Sequence, residues 1–164
     1  MNTLNPSSRP AGRQTLALIG WLALCFAASG TAVFVSIGGW YSSLNKPSWN
    51  PPPWIFGPVW SLLYIMMAVA AWLVWREGGW KRHGRTLGLF FLQWLLNAVW
   101  TPIFFGMHRS GLAFAENIML WIVLAATLRL FWRVSKLAGV LLVPYLVWVS
   151  FAAALNFAIW RLNI

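Results

Sequence analysis

Five side chains of the types that most often carry acid–base, thiol or metal chemistry occur in the chain: Glu77, Glu116, His83, His108 and Cys25. They are scattered. His83 lies in a basic connection and His108 in a later loop, and neither has a carboxylate or cysteine beside it in sequence, so no metal-ligand spacing arises. Each reads as a solvated loop imidazole, with haem ligation as the alternative. Glu116 is the one acid inside an apolar run, near its start, where pairing with Arg109 or capping the helix explains it better than a base role does. Cys25 has no partner for an internal disulfide and reads as a small core hydrophobe. Gly78-Gly79 is a turn, and neither a nucleophile motif nor a Gly-rich phosphate loop is present. Ordinary hydrolytic or redox catalysis is not expected.

Recognition chemistry is better supplied. Gln93 and Asn97 stand four residues apart, hence on one helix face, and Trp100 and Thr101 continue that stripe. Asn97 falls near mid-membrane, where an amide must find a partner, either another helix or a bound molecule. Tyr145, Trp148, Ala152 and Leu155/Asn156 line one face of a later helix, and Trp60, Tyr64 and Met67 line one face of an earlier one. One aromatic stripe is ordinarily core. Three, each combining rings with a polar group, suit a cavity for a flat, largely apolar ligand that stacks and makes a few hydrogen bonds. The stretch from Trp40 to Trp54 contains Tyr41, Trp49 and four prolines, Pro47, Pro51, Pro52 and Pro53. Proline fixes φ and removes donors, so a stiff, largely non-helical lid is expected there; for Trp40 and Trp54 an interfacial aromatic belt is the alternative.

These residues need elements to hold them, and composition dictates which. Of 164 residues, 60% are hydrophobic and 9% charged, with 14 tryptophans and a mean hydropathy of +0.69. A soluble domain carries about a quarter charged residues, and a disordered chain lacks apolar ones. Five runs reach the roughly 20 residues that a bilayer core demands: about Thr15–Gly39, Ile55–Trp75, Leu87–Phe105, Leu112–Trp132 and Leu137–Trp160, the last containing Pro144. The first exceeds a signal-peptide core and reads as a retained helix. Its Ala23, Ala27, Gly30 and Ala32 permit close helix approach, for packing or for self-association. The expected fold is an all-α membrane protein, a five-transmembrane-helix bundle with a Pro/Trp-rich first loop, in one domain (15–164) behind a cytoplasmic tail (1–14). The net charge of +10 does not form a nucleic-acid patch, because the basic residues lie between apolar runs. Arg9, Arg13, Arg76, Lys81, Arg82, Arg85, Arg129, Arg133 and Lys136 fall on one side, against Lys46, Arg109 and Arg161 on the other. The positive-inside rule then puts the N-terminus in the cytoplasm, with the first loop and the C-terminal end opposite. An odd number of spans argues against an inverted-repeat transporter.

Trp40-Tyr41, Asn45-Lys46-Pro47-Ser48-Trp49-Asn50-Pro51-Pro52, Trp60, Asn97-Ala98-Val99-Trp100-Thr101-Pro102, Pro144-Tyr145-Leu146-Val147-Trp148 and Leu155-Asn156 resemble, in order, the motifs of the tryptophan-rich sensory protein/translocator protein (TspO/MBR) family. The resemblance covers nearly the whole chain. It implies a five-helix membrane bundle, often a homodimer, that binds porphyrins such as protoporphyrin IX and haem as ligands, with no obligatory cofactor. Family members also bind isoquinoline carboxamides, and bacterial ones are linked to tetrapyrrole regulation and stress signalling. Carried over by position, the pocket comprises Tyr41, Trp49, Pro51, Pro52, Trp60, Asn97, Trp100, Trp148, Ala152 and Asn156, to which the stripes add Tyr64 and Tyr145. Transport of porphyrin or lipid-like molecules, and light-dependent porphyrin breakdown, are the alternative activities. The sterol motif that some members carry is missing from the last helix, where the first basic residue after Tyr145 is Arg161. A reversed form with Phe occurs at Arg129–Val134, a pattern that arises readily in aromatic-rich helices.

Overall fold

In the bilayer interior no water is available for peptide groups, so a chain this apolar must satisfy them within helices. The computed structural model describes residues 11–35 and 38–164; Arg9 and the rest of the expected tail through residue 10 lie outside the described residues. Five helical segments among them are long and apolar enough to cross a membrane. Helix α1 spans Ala11–Ala27 and continues as a 3-10 turn, Ala28–Phe34. A short α2 (Gly39–Ser43) and a 3-10 turn (Pro53–Ile55) punctuate the first loop. The remaining spans are α3 (Phe56–Arg76), α4 (Gly79–Thr101, continued by a π-turn at Pro102–Gly106), α5 (Ser110–Val134) and α6 (Lys136–Leu162).

Three boundaries differ from the sequence expectation, each for a local reason. The first span starts at Ala11, within the expected tail, and tightens at Ala28 instead of remaining α-helical. Ser29 Oγ donates to the Phe26 carbonyl (2.6 Å) and Thr31 Oγ to the Ala28 carbonyl (3.0 Å), local bonds that compete with the α-helical ladder. The basic connection before Leu87 is mostly helical: α4 begins at Gly79, with a kink at His83 (φ −121°, ψ 26°). Gly78 makes the preceding turn at φ +154°, and a Cβ there would lie 2.7 Å from Arg82 Cβ, so only glycine suits it. Finally, the first loop is partly helical, with Trp40 and Tyr41 on α2 and extended chain following.

Helices α3, α4, α5 and α6 pack in a closed ring, with α1 against α3 and the 3-10 turn against α4. Among lipid tails there is no hydrophobic drive to associate, so close packing and interhelical hydrogen bonds must hold the ring. Small side chains do the first: Ala68, Ala70 and Ala71 of α3 and Ala138 of α6 are fully buried. At Gly139 a Cβ would lie 2.9 Å from Trp132 Cα. Indoles do the second. Trp72 Nε1 donates to the Gln14 carbonyl (3.1 Å) and Trp94 Nε1 to the Leu24 carbonyl (2.9 Å), tying α3 and α4 to α1. Trp121 Nε1 donates to Ser150 Oγ (2.8 Å), tying α5 to α6. Ser135 closes one helix and opens the next: its N–H donates to the Phe131 carbonyl (2.8 Å) and its Oγ accepts from Ala138 N–H (3.4 Å).

Candidate ligand cavity

The end of the bundle opposite the basic turns is hollow. A cavity of about 690 Å³ lies beneath the first loop, walled by all five spans, a size within the roughly 300–1,000 Å³ typical of small-molecule sites. Of the twelve side chains expected at a site, nine border it: Tyr41, Pro51, Trp60, Tyr64, Asn97, Trp100, Trp148, Ala152 and Asn156. They arrive from α2, the loop, α3, α4 and α6. The helical spacing of each stripe turns its members to one side, and the ring packing brings those sides together.

Three expected residues stand apart. Tyr145 is wholly buried behind Trp60, ring centroids 6.1 Å apart, and does not reach the wall. Trp49 lies over the rim, edge-on to Phe151 at 5.8 Å and half exposed. Pro52 is exposed, its carbonyl accepting from Ile55 N–H. Of the stripe residues not placed in the site, Thr101 and Leu155 border the cavity, Met67 is fully buried core, and Gln93 is fully buried without a hydrogen-bond partner and off the wall.

The walls are ring surfaces. Trp100 stacks on Phe104 (5.0 Å, 15°), which meets Trp40 edge-on at 5.5 Å. Trp148 packs edge-on to Phe56 (5.8 Å) and beside Phe151 (5.5 Å), and Trp60 lies against Tyr64 at 5.4 Å. His108, at φ +54°, is exposed and stacks face to face on Trp40, with centroids 4.4 Å apart. Phe26, Phe56, Phe104, Phe105 and Phe151 on the wall were not anticipated. Phenylalanine is so common in the spans that its placement depends on helix rotation, which no polar neighbour signals.

Hydrogen bonds consume most of the wall's polar capacity. Tyr64 OH donates to Asn97 Oδ1 (3.2 Å), so the interhelical role foreseen for Asn97 is realised and the residue also borders the cavity. Asn156 bridges three elements: its Nδ2 donates to the Ser110 carbonyl (2.8 Å) and its Oδ1 accepts from Trp100 Nε1 (3.2 Å). The hydroxyls of Ser29, Ser42 and Ser61 each donate to a carbonyl of their own turn. Among the described residues, Asn97 Nδ2, Thr101 Oγ1 and the Trp60 and Trp148 indole N–H groups keep free capacity, and Asn117, a residue the sequence stripes did not single out, borders the cavity with its Oδ1 buried and without a partner.

Glu116 corrects the sequence expectation. It is buried, seven residues inside the α5 boundary that Arg109 caps, and neither carboxylate oxygen has a partner; it pairs with no arginine and caps no helix. Each buried polar group left unpaired costs about 1–3 kcal/mol. Among the described residues the one ion pair is Arg76–Glu77, at the basic end, and no lysine, arginine or acid borders the cavity. No group of three or more His, Cys, Asp or Glu side chains suited to a metal occurs among the described residues.

The loop is fastened as a lid. Asn45 N–H donates to Asn163 Oδ1 and Asn163 Nδ2 donates back to the Asn45 carbonyl, both at 2.9 Å. Tyr41 OH donates to Asn50 Oδ1 (3.0 Å), and Lys46 Nζ lies 4.9 Å from the Tyr41 ring centroid. Burial pushes the Tyr41 phenol above its ordinary pKa, which keeps it a neutral donor across the physiological range.

Comparison with known proteins places this architecture. Residues 15–161 match the model of the TspO/MBR family. The chain is 46% identical over 143 residues to protein CrtK of Rhodobacter capsulatus, covering 85% of this chain and 88% of that one. It is 42% identical over 143 residues to the tryptophan-rich sensory protein of Cereibacter sphaeroides (87% and 89% covered). To the human translocator protein it is 44% identical over 126 residues (76% and 75% covered). A five-span helical bundle, a tryptophan-rich sequence and a match over nearly the whole chain lead to one conclusion: this protein belongs to the TspO/MBR family.

Proposed function

We propose that the protein is an intramembrane receptor for porphyrins, protoporphyrin IX or haem, with a sensory or translocating role of the kind its relatives' names describe. The observation that carries this reading is the cavity beneath the lid: its volume, its indole and phenyl walls and the absence of bordering charge suit a broad, flat, largely apolar ring system. Titration of protoporphyrin IX into detergent-solubilised protein is expected to quench tryptophan emission saturably. Trp148→Ala removes one wall and is expected to weaken binding about tenfold or more, the equivalent of at least about 1.4 kcal/mol. Unchanged affinity in that variant would reject the cavity as the site.

Trp60, Trp100 and Trp148, which all border the cavity, also favour a second reading, light-dependent breakdown of the bound porphyrin with indoles as electron donors. Illumination should then bleach the porphyrin spectrum faster with protein than without, and Trp60→Phe and Trp148→Phe should slow the loss. Equal bleaching with and without protein would dispose of it.

The charge distribution supports a cytoplasmic location for the basic turns, with the lid on the opposite face. Cysteines introduced at Ser48 and at Lys81, in a Cys25→Ser background, should label from opposite sides of sealed vesicles.

A further inference from the structure

We infer that Asn117 is the polar anchor of the cavity, and that the ligand it selects presents a planar group carrying a donor and an acceptor on one carbon: a neutral carboxylic acid or a primary carboxamide. The inference rests on the receptor reading above. Asn117 is 3% exposed, its Oδ1 is buried without a partner, and no hydrogen bond from its amide nitrogen occurs among the described residues. The other side chains with buried unpartnered atoms, Gln93, Glu116 and Tyr145, do not border the cavity. A molecule entering therefore meets one carboxamide with neither atom committed; Oδ1 lies below the wall surface, and pairing with it takes a turn of the Asn117 side chain toward the occupant.

The complement of a free carboxamide is a group that donates to Oδ1 and accepts from Nδ2 at once. An alcohol, ketone or ester can pair well with one of the two atoms only. An ionised carboxylate offers acceptors alone and would leave Oδ1 unpaired, and no lysine or arginine borders the cavity to hold its charge. The neutral acid and the primary amide make both bonds. The aromatic walls thus select a ring system, and Asn117 selects what that ring carries.

The test is a set of equilibrium titrations, read by tryptophan quenching, with three probes on one macrocycle: protoporphyrin IX, its dimethyl ester and its diamide. In the unmodified protein the acid or the diamide should bind about tenfold tighter than the ester, as expected for one buried amide left unpaired by the ester. In Asn117→Leu the preference should fall to about one. Asn117→Ala, which removes both polar atoms without adding bulk, should abolish it as well, and provides the measurement if the leucine variant fails to fold. A preference confined to the acid, or to the diamide, identifies which group the site takes. Porphyrin binding with an ester ratio that is the same in the unmodified protein and both variants overturns the anchor and leaves the receptor reading standing. Failure of all three probes to bind the unmodified protein overturns both.

Discussion

The two ends of this bundle are built on opposite principles. At the basic end the helices close on small residues and interlocked rings. Phe90 stacks on Phe131 (5.8 Å, 17°) and takes the edge of Trp21 at 5.6 Å, with Leu87, Leu124, Leu142 and Val74 fully buried around them. At the loop end the same helices are held apart by aromatic walls around a cavity of about 690 Å³. Hydrogen bonds tie helices at both ends: Trp72 to Gln14 at the basic end, and Asn156, Tyr64 and the Asn45–Asn163 pair at the hollow end. Where side chains fill the space between helices, van der Waals contact carries most of the hold and an indole bond adds to it; where a void must be kept open in lipid, specific hydrogen bonds fix the spacing. The closed end is a foundation and the open end a fitted frame.

This contrast predicts which substitutions change stability and which change binding. Phe90→Ala at the closed end should have the largest effect, about 3–5 kcal/mol of stability from a cavity no neighbour can fill. Thermal unfolding in detergent should fall sharply, while protoporphyrin IX affinity of the folded fraction stays within about twofold. A large affinity loss there would break the division between the two ends. Asn156→Leu at the open end strands Trp100 Nε1 and the Ser110 carbonyl, at about 1–3 kcal/mol, and should lower both stability and affinity because it releases a wall. Next, Asn163→Ala removes the lid's fastening, worth about 1 kcal/mol. Stopped-flow quenching should show porphyrin dissociation accelerating a few-fold with little change in unfolding temperature.

The smallest effect concerns Tyr41. Burial raises its folded-state pKa above the unfolded value of about 10. A raised pKa makes the contribution complete below about pH 10, and it is lost as pH rises through the folded value. The lid should therefore hold through neutral pH and loosen only in strong alkali. Ionisation of a phenol followed in the near ultraviolet should occur above the ordinary tyrosine range, and Tyr41→Phe should remove that transition.

How much of this was legible in the residues depended on whether a polar group marked the face. Asn97, Trp100, Trp148 and Asn156 could be assigned to common faces because an amide in an apolar helix has to point inward, and its i+3 and i+4 neighbours go with it. Tyr145 shares that periodicity with Trp148, yet sits behind Trp60; the rotation that decides between wall and core comes from how α3 and α6 pack. Asn117 has Trp121 four residues on, yet that indole bonds to Ser150 and is exposed, so the spacing alone did not show that Asn117 faces the cavity. The indole staples at Trp72, Trp94 and Trp121 were equally hidden, because a tryptophan bonded to a neighbouring helix and one floating at an interface look alike in sequence. The tightening at Ser29 and Thr31 depends on hydroxyl rotamers that spacing does not encode.

The reciprocal bond between Asn45 and Asn163 joins residues 118 positions apart, and this has a consequence for biogenesis. The lid follows the first span in synthesis, and its partner follows the last of the five. While the intervening spans are made and inserted, the cavity roof has nothing to close against. On the receptor reading proposed above, capture of a ligand is thereby postponed until the fifth span has docked, and an incompletely assembled bundle sits in the membrane with its cavity unroofed.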